Sequence, residues 1–276
     1  MKKNTFEEFF IDRVARMFTP YIPCLFLIGV AGAVFGLHGP YDIKTFIANA
    51  LMLQDFPLHR YMSVPEIDRF GTGRPLWSVA MEWWFYMAFG ALFFVRRLPI
   101  WALPLTAIGF FVTAFGSRVG MLPYTWAAGA IAAIVWTRLP KAPWAFLFAG
   151  FVVLALYRYR TAPDEFYDLK LNLLMAISLF CAVKAIENFS IPKWLVRFSV
   201  AMAAYSYTLY LIHYTVMSAI SIQSGWARVG VTFVVANIVA IALYFAFERH
   251  YRKVAAWMKT WLLPLSATKP VSSDRS

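Results

Sequence analysis

Apolar residues fill this chain in long blocks, separated by short polar clusters that are mostly basic. A helix needs about 20 predominantly apolar residues to cross a bilayer, with some tolerance either way. Eight blocks qualify, at 17–37, 76–95, 99–116, 121–137, 144–158, 169–187, 199–220 and 228–247; that at 144–158 is short and that at 121–137 marginal. The pattern predicts an all-α, polytopic transmembrane helical bundle of about eight spans. No repeat of fixed period links the blocks, so an architecture built from internal repeats gains no support.

The two ends read differently from the middle. Thr5 and Glu8 stand in capping-box spacing, and Phe6, Phe9, Phe10, Val14 and Met17 recur at helical intervals. Charge throughout MKKNTFEEFFIDRVARMF and the lack of a small-residue cleavage site argue against a signal peptide. Residues 1–16 are therefore expected to form a cytoplasmic interfacial helix ahead of a bundle over 17–247. After the last span, Tyr251, Val254, Ala255, Met258, Trp261 and Leu262 predict a second amphipathic helix, followed by the polar tail SATKPVSSDRS, the two occupying 248–276.

Composition narrows the class. Of 276 residues, 61% are hydrophobic and 14% charged, with a mean hydropathy of +0.61. A soluble domain carries about 25% charged residues, so that class is set aside. Aromatic residues make up 18%, with 11 Trp and 14 Tyr, as suits a protein lining two membrane–water interfaces. The net charge of +12 is dispersed between the apolar blocks, which excludes a nucleic-acid patch and fits topology-setting charge. With the N-terminus inside, 17 Lys and Arg fall on inner segments and 9 on outer ones, predicting that both termini are cytoplasmic. Cys24 and Cys181 lie inside apolar blocks and read as packing residues.

The longest connection, 38–75, faces outside on that topology and carries His38, Asp55, His59, Glu66, Asp68, Arg69 and Arg74. Its segment IKTFIANALMLQDF is apolar enough to lie on or dip into the membrane, and loops of this length are often functional.

Polar residues inside the spans single themselves out by cost. A charge at mid-span costs about 2.5–3.5 kcal/mol on insertion scales, so it turns toward a protein interior or cavity. Glu82, in LWSVAMEWWFY, lies six residues into its span, and Ser78, Glu82 and Tyr86 share a face at i, i+4 and i+8. Ser206, Tyr210 and His213 share a face of the span at 199–220. At about 1.5 Å per residue, Glu82 and His213 both lie about 9–10 Å from the outer surface, and one shared polar site is expected. A helix–helix packing hydrogen bond is the plainer alternative for each, and it is the preferred reading for Asn237 in the last span. No HExxH, CxxC, GxSxG or Walker-type loop occurs, and no metal site is predicted.

These segments together resemble the acyltransferase-3 family of integral-membrane O-acyltransferases. LWSVAMEWWFY resembles the family's LWSLxxExxFY signature, and RVARMFTPY is similar to its cytoplasmic RxxRxxPxY element. NALMLQDF looks like NLLFLQNF, AYSYTLYLIH like ISYSLYLIH, and the closing FERHYRK like IExPFRR. The matches fall in family order across most of the chain. The family is normally built on ten spans, and the eight here correspond to its last eight. Its first two, with a DGLRG element and the histidine usually taken as catalytic base, have no counterpart. Trp83 stands where many members have a second acid, and His250 replaces the closing proline.

The resemblance implies transfer of an acyl group from acyl-CoA to a hydroxyl of a cell-surface glycan or lipid-linked sugar, in a bacterial inner membrane and with no bound cofactor. Glu82 and His213 become the expected catalytic residues. Arg13 and Arg16 match the element where acyl-CoA arrives, and a cation there suits phosphate groups, although ordinary positive-inside charge explains them equally. Ser78, Tyr86, Ser206, Tyr207 and Tyr210 then shape the acceptor end. The alternative is a non-catalytic membrane subunit or a glycan-binding transporter, with a partner supplying the two absent helices.

Overall fold

The computed structural model describes residues 5–57, 62–63, 65–115, 129, 143–161, 168–187, 190–221 and 225–263. The described residues are helical, with no strand among them. In chain order the helices are α1 (Phe6–Phe35), α2 (Ile43–Ala50), α3 (Leu76–Phe93), α4 (Leu103–Phe115), α5 (Trp144–Thr161), α6 (Leu169–Ile186), α7 (Lys193–Ala219), α8 (Trp226–Ala246) and α9 (Tyr251–Leu262). They form two compact units, Met1–Phe110 with Arg197–Ser276, and Phe111–Val196.

Four helical stretches are long and apolar enough to cross a membrane: Phe6–Phe35, Leu169–Ile186, Lys193–Ala219 and Trp226–Leu262. The other expected spans form helices less suited to that role. In α3 the apolar run is diluted by Ser78, Glu82 and three tryptophans, α4 has 13 residues, and α5 ends on Arg158 and Arg160. The expected span at 121–137 lies outside the described residues.

The proposed boundary at residue 16 has no counterpart in the backbone. Helix α1 runs 30 residues without a break, so the expected interfacial helix and first span are one element. Its start is the capping box: Glu8 N donates to Thr5 Oγ1 at 3.3 Å and Thr5 N to Glu8 Oε2 at 3.4 Å. Its end is Gly36, whose φ of +61° is the left-handed conformation that lets the chain leave the helix. Phe6, Tyr21, Leu25 and Ile28 of α1 are fully buried, as are Leu76, Met81 and Met87 of α3 and Leu211 and Ile212 of α7. Toward the N-terminal end of α1, Phe6, Phe9 and Phe94 meet with ring centroids 5.8–6.3 Å apart. Trp83, which stands in place of an acid, fills this core with its ring 5.0 Å from Phe18 and 5.9 Å from Phe10.

At the other end of the chain, α9 packs on α1 through Ala255, Val254 and Met258 against Ile11 and Ala15. Lys259 Nζ reaches Asp12 Oδ1 at 2.7 Å. Trp257 and Trp261 of α9 remain exposed. In the second unit, α5 and α6 form a helical hairpin whose ends are tied by Arg158 to Asp168, through Nε at 2.9 Å and Nη2 at 2.7 Å.

The long connection is a packed plug rather than a free loop. Asp42 caps α2 by accepting from Thr45 N at 3.0 Å, and Thr45 Oγ1 also donates to it at 2.7 Å. Those hydrogen bonds hold the exposed Asp42 carboxyl below its usual range. The chain then turns inward. Asn49, Met52 and Gln54 have no exposed surface. Gln54 Nε2 donates to Tyr21 Oη at 3.0 Å and to Leu76 O at 2.9 Å, Tyr21 Oη donates to Asn49 O at 3.0 Å, and Trp84 Nε1 donates to Met52 O at 2.8 Å. Asn49 further donates to Asp68 O and accepts from Phe70 N. Both amide atoms of Asn49 are thus satisfied, whereas of the Gln54 amide only the nitrogen is, its buried Oε1 having no hydrogen-bond partner. Met52 and Asp55 adopt φ of +58° and +54°, a strained conformation for residues with side chains that the surrounding bonds hold in place.

Candidate active site

Three helices of the first unit bring the polar residues together. Three pairs join α3, and the segment leading into it, to α7, which runs in the opposite direction. Ser78 Oγ and Tyr210 Oη are 2.5 Å apart, Arg74 Nη1 donates to Tyr214 Oη at 3.2 Å, and Thr72 Oγ1 donates to Thr215 Oγ1 at 3.0 Å. Ser78 Oγ also donates to Pro75 O at 2.9 Å. A serine hydroxyl has one proton, so Tyr210 is the donor in the Ser78–Tyr210 bond.

One helical turn inward on α3, half-buried Glu82 accepts from Tyr86 Oη at 2.9 Å. The guanidinium of Arg13 lies over the Tyr86 ring at 5.0 Å and over Phe9 at 5.7 Å. The basic element of α1 is thereby joined to the acid of α3 through one tyrosine, a link that distance along the sequence does not reveal.

His213 sits elsewhere than expected. Its Nδ1 is 2.8 Å from Tyr210 O. A carbonyl only accepts, so Nδ1 carries the proton and Nε2 holds the lone pair in the neutral ring. The Ser78–Tyr210 pair lies four residues before Glu82 on α3 and three residues before His213 on α7. Seven residues at about 1.5 Å each put the two candidates about 10 Å apart along the axis. On that count the two lie at different levels along their helices, because counting from each helix's own end assumes that those ends are level. Tyr207, which donates to Met17 O at 3.5 Å, stands nearer the level of Glu82. Ser206 donates to Ala203 O within its own helix at 2.9 Å and is exposed. It shares with Tyr210 and His213 the wall of a groove between α7 and α8. Asn237 has a structural role as expected: it accepts from Tyr205 Oη at 2.7 Å and donates to Phe233 O at 2.7 Å.

Arg16 makes the contact that sequence reasoning missed. Its Nη1 is 3.1 Å from Glu248 Oε1, and its guanidinium lies 4.7 Å from the centre of the Tyr251 ring. Glu248 is wholly buried, and its Oε2 accepts from Thr208 Oγ1 at 2.6 Å and Thr208 N at 3.3 Å. This carboxylate joins RVAR, YSYT and FERHYRK, three segments far apart in the chain. It reads as surface charge because two basic residues follow within four positions. The available signal was the apolar Phe245–Ala246–Phe247 just before it.

Outside the Ser78–Tyr210 pair a polar cavity of about 620 Å³ opens, lined by His38, Asp68, Arg69, Thr72, Arg74 and Tyr214 among others. Arg69 is held by Asp55 through two hydrogen bonds of 2.7 Å, which raise its pKa further. Glu66 is exposed and does not line the cavity, and His59 lies outside the described residues. Among the described residues no three His, Cys, Asp or Glu side chains are grouped to hold a metal.

Four apolar helical stretches of spanning length, with polar contacts among Arg13, Tyr86 and Glu82 and between Ser78 and Tyr210, describe a membrane protein with polar residues between its helices. The model of the acyltransferase-3 family, described as an acyltransferase domain, matches residues 1–247. The chain belongs to that family and carries its acyltransferase domain. No curated protein and no solved structure matches it.

Proposed function

We propose that this chain is an eight-span O-acyltransferase of a bacterial inner membrane. It moves an acyl group, of acetyl-like size, from cytoplasmic acyl-CoA to a hydroxyl of a glycan or lipid-linked sugar outside. The observation that carries the reading is a line of polar contacts: Arg13 over Tyr86, Tyr86 to Glu82, one turn along α3 Ser78 to Tyr210, and His213 on the next turn of α7, with a polar cavity lined by Thr72, Arg74 and Tyr214 nearby. Such a line is costly in a membrane unless it serves substrate or proton. The two arginines at its inner end suit the phosphates of the donor, and the hydroxyl-rich outer cavity suits a sugar.

The chemistry needs a base for the acceptor hydroxyl and donors for the oxyanion that forms on the thioester carbonyl. The carboxylate of Glu82 and the lone pair on His213 Nε2 are the bases on this path. Tyr86 holds the carboxylate in place.

Labelled acyl transfer in membrane vesicles tests the reading. Arg13→Gln is expected to raise the KM for acyl-CoA about tenfold, the worth of one charge-assisted contact, with kcat much less affected. An unchanged KM would leave Arg13 with a topological role alone.

The orientation has its own check. Reporter fusions at Arg97 and Arg252 are expected to report cytoplasm and one at Asp68 the outside. An outside signal at Arg97 overturns the eight-span order.

A further inference from the structure

Helices α7 and α8 do not close on one another over their outer halves. They leave an open groove of about 690 Å³ whose apolar lining is Leu209, Met217, Val229, Phe233 and Ala236. Val229 and Phe233 are more than half exposed, so the groove is open along its length. A purely apolar furrow would carry no information about its occupant. This one also carries polar residues, Ser206, Tyr210, His213 and Asn237 along it and a cation, Arg228, at one end.

Arg228 and Thr232 stand four residues apart on one face of α8 and both line the groove. Arg228 Nη2 donates to Met217 O at 3.3 Å, but its Nε is buried and has no hydrogen-bond partner. Thr232 Oγ1 is buried and lacks a partner as well. Two unsatisfied polar groups one turn apart cost free energy unless something in the groove accepts from them. No carboxylate is among the described residues lining it, so the field there is positive. Arg228 also lies in the first turn of α8, whose start at Trp226 has no side-chain cap, and a helix N-terminus adds to the attraction for an anion. Trp226 is 90% exposed, as an aromatic anchor at the membrane interface would be.

We infer that the α7–α8 groove holds one anionic phospholipid, its phosphate on Arg228 and Thr232 and one acyl chain along Leu209, Val229, Phe233 and Ala236. Guanidinium and hydroxyl are the donors that a phosphate accepts from, and the groove volume is in the range of small-ligand sites. Ser206, Tyr210 and His213 of the proposed acyl-transfer path also line this groove, but Arg228 and Thr232 are not on that path, so lipid preference at those two residues is read without reference to acyl transfer.

Native mass spectrometry of the full chain in neutral detergent, titrated with phosphatidylglycerol and with phosphatidylcholine, tests this. The expected result is one phosphatidylglycerol held about tenfold more tightly than phosphatidylcholine. Arg228→Gln is expected to remove that preference, weakening phosphatidylglycerol more than phosphatidylcholine. Thr232→Val, a milder change that keeps the fold, is expected to reduce the preference a few-fold. Val229→Trp, placed on the exposed wall, is expected to weaken both lipids. Equal binding of the two lipids by the wild-type chain overturns the proposal. So does an unchanged preference in Arg228→Gln and Thr232→Val. A Phe233→Cys chain that cross-links to a second copy with no lipid released assigns the groove to a protein partner and also overturns it.

Discussion

Glu82→Gln is expected to lower acyl transfer at least about a hundredfold while leaving expression and the melting temperature nearly unchanged. Glutamine has the same shape and still accepts from Tyr86 Oη, whose bond to Oε1 is 2.9 Å, so the packing of α3 survives. What is lost is the ability to take and return a proton. Tyr86→Phe is the companion variant. It keeps the ring under Arg13 but frees the carboxylate, and an intermediate loss is expected. The readouts are labelled acyl transfer in vesicles and thermal unfolding in detergent. Transfer within about threefold of wild type would end the catalytic assignment. Failure of Glu82→Gln to accumulate would instead make Glu82 a packing residue.

The second large effect falls far from the acceptor. Glu248→Ala is expected to destabilise the chain by about 2–4 kcal/mol, discounted by about 1 kcal/mol from the roughly 3–5 kcal/mol for breaking a buried ion pair. The discount reflects Arg16, whose side chain is 36% exposed and can recruit water. Thr208 cannot, being fully buried, and its hydroxyl loses its acceptor. Glu248→Gln keeps one oxygen for Thr208 and is expected to cost about half as much. Thermal unfolding of the purified chain measures both. Melting temperatures equal to wild type in both variants would show that Arg16, Thr208 and Glu248 are neighbours without energetic coupling.

These two acids show how far single-chain reasoning reaches. Glu82 was visible because a carboxylate six residues inside an apolar run is expensive wherever the helix packs. Glu248 was not, because it follows an apolar run and precedes Arg249 and Arg252, where a solvated surface charge costs nothing. Its burial arises only when α1 and α7 converge on the turn between α8 and α9.

What the sequence by itself determined is local. The capping box at Thr5 and Glu8, the helical runs, the amphipathic pattern of α9 and the family motifs all rest on residues within a few turns of one another. Interactions at i+3 and i+4 and the cost of polar atoms in lipid are encoded at that range. The tertiary structure decided the register. Helix α3 has 18 residues and α7 has 27, and the bonds to α7 from Ser78 and from Thr72 and Arg74 just before α3 place Glu82 and His213 at different levels despite equal counts from their ends. It also decided that the segment from Asn49 to Gln54 plugs the bundle, since Tyr21 and Trp84 lie 28 and 32 residues from the carbonyls they reach. Hydropathy measures depth only along one helix. Which residues share a site depends on how helices slide past one another, and that is settled by side-chain packing and buried hydrogen bonds between distant segments.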